Sequence, residues 1–359
     1  MGFGRFSVTN DLGKKRRWQM PIKEILIRNT MFREKPEKPR FSPSYEAPKG
    51  SLLERLHSSR NLIQEKAFGN ISSFNFSRDV FNSGKWNDLT TKARGLFLDN
   101  TTGRIVARGF EKFFGYKEQR FNSEEFLKNT LKFPVSAYVK HNGFLGILGF
   151  DDSGFLFCSK STVGGEFAQW FEKIFRKDDH RNEELLGFMR KENVGLVFEV
   201  IDPVHDSHIV EYENPVIVLL DIIRLEEEFK DCSYEELCGF AEKFNFKVKE
   251  LYRRFNDWDE LHGFLEWFST DMDASRDKEG YVITDGKYQF KLKGAWYKFW
   301  KWMRTIKDRI ANGRDVNASG MNAEATLFCG WAQRKGREYC KEREIISLRN
   351  EYEYEKGEL

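Results

Sequence analysis

From Lys92 onward the apolar residues fall mainly in short alternating runs, the signature of strands, and from Trp296 they switch to helical spacing. Residues 95–99 and 104–108, joined by Asn100-Thr101-Thr102-Gly103, read as a hairpin. A second group follows at 135–139, 144–150 and 155–159, with Asp151-Asp152-Ser153-Gly154 turning between the last two. Near-continuous apolar runs at 194–201 and 216–223 predict central strands of a buried sheet. Two more strands, 280–283 and 288–293, flank Thr284-Asp285-Gly286. Helical spacing predicts a segment at about 166–175 with Phe167, Trp170, Phe171 and Ile174 as its buried stripe. A second helix follows the capping box Ser233-Tyr234-Glu235-Glu236, and a third covers 258–268. Upstream, Ser51 caps a helix carrying Leu52, Leu53, Leu56 and Ile63. Downstream, Trp296, Phe299, Trp300, Met303, Ile306 and Ile310 form one apolar face, with Gly313 as its stop, and the remainder is more weakly helical. The fold class is α+β, a mostly antiparallel-sheet body followed by a small helical carboxyl-terminal module.

This pattern divides the chain into an arm at 1–50, a body at 51–297 and a helical module at 298–359. Pro36, Pro39, Pro43, Pro48 and Gly50 stand among charges, which predicts an extended or poorly ordered arm. Aromatic residues at 15% argue for packed layers, and no apolar run approaches membrane-spanning length. Residues 1–17 lack the apolar stretch of a secretory signal. Five cysteines without a Cys-x-x-Cys pair indicate neither a disulfide framework nor a zinc site. A reducing compartment follows, cytoplasmic by default, with Lys14-Lys15-Arg16-Arg17 as a weak nuclear signal. The net charge of +3 hides an asymmetry: the first 40 residues hold eleven Lys/Arg against four Asp/Glu. Such an arm suits a phosphate backbone or is simply a solvated tail. His205 and His208 sit in a turn-forming stretch and are expected to be solvated.

Candidate chemistry centres on Val139-Lys140-His141-Asn142-Gly143, where a lysine ends one strand just before a turn. Lys-x-x-Gly begins at five lysines, but only at Lys140 do apolar strands flank both sides. Four more stretches lie on or beside strands: Arg94-Gly95, Phe198-Glu199, Glu279-Gly280 and Lys291-Leu292-Lys293. Alternation sends Lys291 and Lys293 to one face, opposite Phe290 and Leu292. Two carboxylates, three lysines and an arginine are thus expected on one sheet surface. For attack on phosphorus Lys140 must be neutral, and the expectation is that burial and neighbouring cations lower its pKa. Lys291 and Lys293 would neutralise phosphates; Glu199 and Glu279 would hold ribose hydroxyls or Mg²⁺. Gly143, lacking a Cβ, would let the backbone pass close to a nucleotide.

The ordered set Lys-x-(Asp/Asn)-Gly, Phe-Glu, Glu-Gly and Lys-x-Lys resembles the covalent nucleotidyltransferases: ATP-dependent DNA and RNA ligases and messenger-RNA capping enzymes. Glu111-Lys112-Phe113-Phe114, Phe157-Cys158-Ser159-Lys160-Ser161 and Lys291-Leu292-Lys293-Gly294-Ala295-Trp296-Tyr297 make it more similar to type-1 phage RNA ligases and fungal tRNA-splicing ligase domains. The resemblance covers about residues 92–297. It implies an adenylyltransferase fold, with ATP and Mg²⁺ (or Mn²⁺) as cofactors and Lys140 as the site of a lysyl-AMP intermediate. It implies that Arg94, Lys112, Phe114, Asn142, Gly143, Lys160, Glu199 and Glu279 bind the nucleotide. Glu199 and Glu279 would also hold the metal, and Lys291 and Lys293 would assist at the α-phosphate. The implied partner is RNA, a tRNA among the candidates, with a 5′-phosphate end joined to a 3′-hydroxyl end. Asn142 departs from the usual Asp but matches the tRNA-splicing members. The strand at 216–220 lacks the aromatic that many ligases stack on adenine.

The helical pattern after Lys293 leaves no barrel of the kind that DNA ligases and capping enzymes carry there. Lys298, Lys301, Arg304, Lys307, Arg309, Arg334, Lys335 and Arg337 interleave with aromatics in that module, which suits an RNA contact or a solvated basic face. No Gly-x-x-x-x-Gly-Lys-(Ser/Thr) occurs, so end-healing kinase and phosphatase activities are expected to act separately. Two rival readings stay open: a non-catalytic RNA-binding protein with a ligase-like fold, and a nucleotidyltransferase serving a non-RNA acceptor.

Overall fold

Three sheets and a group of helices build the computed structural model, which describes residues 49–357 apart from 119–121, 179–181, 207 and 318, together with the strand Phe32–Glu34. The rest of the basic arm lies outside the described residues. The largest sheet runs β1 (Phe32–Glu34), β11 (Lys230–Cys232), β10 (Val216–Arg224), β9 (Val194–Ile201), β7 (Phe144–Asp151) and β8 (Gly154–Cys158). A short β12 (Lys247–Val248) adds in parallel to β10, and every other pairing in this sheet is antiparallel. The second sheet runs β13 (Leu251–Phe255), β6 (Val135–Lys140), β14 (Gly280–Thr284) and β15 (Gln289–Lys293). The third runs β2 (Ile63–Phe68), β3 (Ile71–Phe76), β4 (Leu96–Asp99) and β5 (Ile105–Arg108).

Burial explains the apolar runs. All eight residues of β9 are buried, because Phe198 packs under Phe171, Phe175 and Phe246 on one side while Val197 meets Phe110 and Phe229 on the other. In the second sheet Ala137, Tyr281, Ile283, Phe290 and Leu292 pack against Leu261, Phe264, Leu265 and Phe268 of the helix Trp258–Thr270. With that back face covered, alternation leaves Tyr138, Lys140, Lys291 and Lys293 on the front. The carboxyl-terminal helices Ala295–Ala311, Ala323–Lys335, Arg337–Glu342 and Ile345–Gly357 share a separate core of Trp296, Trp300, Met303, Phe328, Leu348 and Tyr352. Ile209 and Val210, from the connection between β9 and β10, join that core. Gly313, at φ +64°, ends the first of these helices as its position predicts. All five cysteines are free, and among the described residues no helix is long and apolar enough to cross a membrane.

Some expectations change. The helix begun by Ser51 ends at Ser58, and Ile63 instead opens β2, paired with Phe76. Strand β3 does not read as apolar because Ser72 and Ser73 are buried; their hydroxyls donate to Glu65 (2.8 Å) and the Ser161 carbonyl (2.9 Å). The helix Glu166–Phe175 buries Ala168, Phe171, Ile174 and Phe175, whereas Phe167 is exposed and Trp170 half-buried. Those two rings gather with Phe144 instead, and Trp170 stacks on His205 at 5.1 Å. His205 lies in a turn and is exposed, as expected, and its ring is also bonded to Asp202 at 2.7 Å.

Gly149 of β7 marks a close contact between the largest and third sheets. A Cβ there would meet the Val106 carbonyl oxygen at 2.1 Å and the Ala107 Cβ at 2.5 Å. Gly149→Ala is expected to destabilise the protein by about 1–3 kcal/mol, as core overpacking does, seen as a lower urea midpoint with an unchanged m-value.

Candidate active site

Strand register brings the charged groups together. Lys140 ends β6 directly opposite Gly280 of β14, and Gly280 in turn lies opposite Lys293 of β15. Two residues further along, Val282 separates Tyr138 from Lys291 in the same way. Side chains of this front face line a cleft of about 250 Å³, on the scale of a small-molecule site. Its opposite wall comes from the largest sheet, through Leu145, Glu199 and Leu220, and its rim from Arg94, Phe110 and Phe113. The groups do not share one sheet surface; they face one another across a gap between two sheets. Gly280 makes the close packing workable, since it holds φ +155° and a Cβ would sit 1.9 Å from the Leu292 carbonyl oxygen.

Lys140 Nζ lies 2.9 Å from Glu279 Oε2, and Lys293 Nζ lies 3.3 Å from Glu279 Oε1. Burial by itself would lower the Lys140 pKa, but Glu279 and Glu199 outweigh it and hold the ammonium above the usual lysine value. The expectation of a depressed Lys140 is therefore corrected, because Glu279 pairs with it at 2.9 Å and Glu199 adds to that pull. The depressed amine is Lys291, pushed well down by burial and then by Arg94, Lys112 and Lys140. Its Nζ sits 4.4 Å from the centre of the Phe113 ring. Burial raises the Glu279 carboxyl, yet Lys140 and Lys293 together bring it below its ordinary value. Glu199 goes the other way, raised by burial and by Glu279 against the pull of Lys140.

Asn142 and Gly143 do not line this cleft. Asn142 Oδ1 accepts the Ile209 and Val210 amides at 3.0 and 3.1 Å, and the Asn142 amide donates to the Tyr212 hydroxyl at 2.8 Å. The Gly143 amide donates to Glu199 Oε1 at 2.9 Å. A Cβ on Gly143 would lie 2.1 Å from the Val200 carbonyl oxygen, so the close approach that needs glycine is to β9 rather than to a ligand. Arg94 is half-buried at the rim, donating to the Phe110 carbonyl at 3.0 Å. Lys112 and Lys160 stand further out: Lys112 lies 4.4 Å from the Phe114 ring centre, and Lys160 5.3 Å from that of Phe76. Both have pKa values lowered by burial and then by neighbouring cations, Arg94 among them, with Glu118 opposing at Lys112. Phe114 is corrected: it packs on Trp86 and Val80, and Phe113 is the ring at the cleft. The two residues are adjacent and identical, so only the fold could tell them apart.

The inner end of the cleft was not legible beforehand. Tyr138, Leu220, Lys249, Thr284 and Gln289 line it, with Lys249 Nζ 2.9 Å from buried Asp221. Leu220 stands at a register shift between β9 and β10 that turns it toward the cleft. Gln289 Nε2 is buried with no hydrogen-bond partner, a donor left over for a ligand. Its place next to Phe290-Lys291 was the available signal. Among the described residues a second carboxylate group, Glu124, His262 and Glu266, has metal-like spacing, but Lys117 already bridges Glu124 and Glu266 at 2.8 and 2.9 Å.

The family model described as RNA ligase matches residues 92–297, more than half of the chain, and the chain belongs to that family. It is 28% identical over 351 residues to tRNA ligase 1 of Schizosaccharomyces pombe, covering 87% of this chain and 44% of that protein. It is 26% identical over 279 residues to the tRNA ligase of Candida albicans, covering 64% and 33%. The chain thus spans less than half the length of these relatives. An archaeal ATP-dependent RNA ligase shares the fold, with TM-scores of 0.52 and 0.51 for two of its structures at 12% and 13% identity; the first comparison covers 80% of this chain and 76% of that one.

The opposed shifts make a direct prediction. At pH 8 a small amine-acylating reagent should modify Lys291 faster than Lys140, read by mass spectrometry, because the neutral fraction is larger at Lys291. Glu279→Gln should speed the reaction at Lys140 by removing the carboxylate that holds its proton.

Proposed function

We propose that this chain is an ATP-dependent RNA ligase that works through a lysyl-AMP intermediate at Lys140 and seals RNA ends, those of tRNA first among them. The observation that carries the reading is the single cleft in which Lys140 faces Glu199 and Glu279, with Lys291, Lys293 and Arg94 around them. A lysine between two carboxylates could be a structural ion pair; three further cationic groups on the same small cleft suit a polyphosphate and its transfer.

In the first step the neutral Nζ of Lys140 attacks the α-phosphorus of ATP. An N–P bond forms, the α–β phosphoanhydride bond breaks and pyrophosphate leaves. Lys291, Lys293 and Arg94 lie where they can balance the charge of the phosphates. An oxygen of an RNA 5′-phosphate then attacks the same phosphorus, freeing Lys140 and leaving AMP joined to the RNA end. Attack by an RNA 3′-hydroxyl on the RNA 5′-phosphorus closes the phosphodiester and expels AMP. Glu199 and Glu279 fit a divalent cation, Mg²⁺ or Mn²⁺: both are buried oxygen donors, and the raised Glu199 carboxyl is short of positive charge. A cation on these carboxylates would supply charge to the phosphates and weaken their hold on the Lys140 proton. The inner end, with Tyr138, Leu220 and the unpartnered Gln289 amide, suits the base; Gln can pair with both a ring nitrogen and an exocyclic amine of adenine.

The body at 51–297 is assigned to this chemistry and the module at 298–359 to RNA. Lys301 supports that assignment, since its amine and that of Lys293 lie over the same Tyr297 ring, 5.9 and 5.0 Å from its centre. The ends it joins must be prepared by phosphoesterase and kinase chemistry, supplied by another active site.

Incubation with α-labelled ATP and Mg²⁺ should label the protein with an acid-stable, hydroxylamine-labile adduct that Lys140→Ala abolishes. Absence of label, or its survival in Lys140→Ala, would sink the reading and leave a ligase-like RNA-binding protein. Label without sealing of RNA that carries a 5′-phosphate would point to a different acceptor. Because Lys140 starts protonated, the labelling rate should climb with pH between 7 and 9, by up to about tenfold per pH unit. Gln289→Leu should raise the KM for ATP by about 5–30-fold, the worth of one or two hydrogen bonds, with little change in kcat.

A further inference from the structure

We infer that the carboxyl-terminal helices hold the catalytic turn in place through Arg349, which makes Arg349 a positioning residue for adenylyl transfer. The inference rests on the reading of Lys140 given above. Arg349 belongs to the helix Ile345–Gly357 and does not line the cleft. At 4% exposure it cannot serve as an RNA contact, although it lies in a basic module. A buried guanidinium is tolerated only when its donors are used, and here they are. Nη1 donates to the Ile209 carbonyl at 2.6 Å, Nη2 lies 3.5 Å from Glu211, and the guanidinium carbon stands 4.9 Å from the Trp296 ring centre.

Ile209 is the joint. Its carbonyl is fixed by Arg349, while its amide donates to Asn142 at 3.0 Å. Val210 adds a second amide to the same oxygen, and Tyr212 takes the Asn142 amide in return. Asn142 stands two residues after Lys140, and the next amide, that of Gly143, holds Glu199. A continuous set of hydrogen bonds therefore runs from a buried arginine in the helical module to the turn that orients both the nucleophile and a carboxylate facing it. Without Arg349, segment 209–212 loses the bond that sets its height above the turn. A shift of about 1 Å at reacting groups is enough to slow chemistry by roughly 100-fold. The helical module is on this view part of the adenylylation site, and not only an RNA-facing addition.

Single-turnover transfer from α-labelled ATP, with Mg²⁺ and no RNA, tests this on the whole chain. Arg349→Met is expected to slow labelling of Lys140 by about tenfold to 100-fold at saturating ATP, with KM for ATP changed less than about threefold. Arg349→Lys, which keeps a cation and a donor, should recover part of the rate. Tyr212→Phe deletes one hydroxyl at the other end of the set and leaves the helical core intact; it should slow labelling with little change in thermal midpoint. A wild-type rate in folded Arg349→Met overturns the inference, as does a rise in KM with kcat unchanged. Should Arg349→Met fail to fold, a wild-type rate in Tyr212→Phe overturns it. If the wild-type chain takes no label, the adenylyl-transfer reading falls first; label in the wild type with unaffected variants removes this inference alone.

Discussion

Lys140 and Glu279 form a largely buried ion pair 2.9 Å apart, and the arrangement around them follows from what a buried pair requires. Each charge gives up solvent on entering the cleft, and removing one partner of such a pair strands the other at a penalty of about 3–5 kcal/mol. Lys293 supplies a second cation to Glu279, and Glu199 a second carboxylate to Lys140, so the charges are shared. The carboxylates thus hold the Lys140 ammonium above the usual lysine value, against the pull of burial.

Backbone geometry makes that sharing workable. The register Lys140–Gly280–Lys293 places the two amines on either side of a strand whose preceding residue is Glu279. A side chain at Gly280 would collide with β15, and one at Gly143 with β9. The two glycines let three strands and a turn close on one point. Arg349, Ile209 and Asn142 extend the same constraint into the helical module, so what looks like an appended unit shares hydrogen bonds with the turn that follows Lys140.

Much of this was legible in the residue pattern. The strands around Lys140, the two-residue alternation of Lys291 and Lys293 against Phe290 and Leu292, and the helix on Trp296 all follow from periodicity. The helix cap at Ser51 and the capping box at Ser233 were legible too, from residue type. Strand β3 was not, because its buried serines find partners on β2 and on the loop at Ser161, which a linear pattern does not show. The outward Phe167 and half-buried Trp170 misled for the opposite reason: a helical stripe says that rings cluster, and here they cluster with Phe144 and His205 at the surface.

By itself the sequence determined which residues could take part: a lysine before a glycine turn, two glutamates, a Lys-x-Lys strand and an apolar helical tail. Local spacing fixes faces and turns because it acts through the backbone's own periods. The tertiary structure alone decided the protonation of Lys140, the choice of Phe113 over Phe114 at the cleft, and the conversion of Asn142 from a presumed ligand contact into an anchor. Each depends on distances between segments far apart in the chain. Charge, burial and hydrogen bonding act across those distances, and no spacing along one strand encodes them.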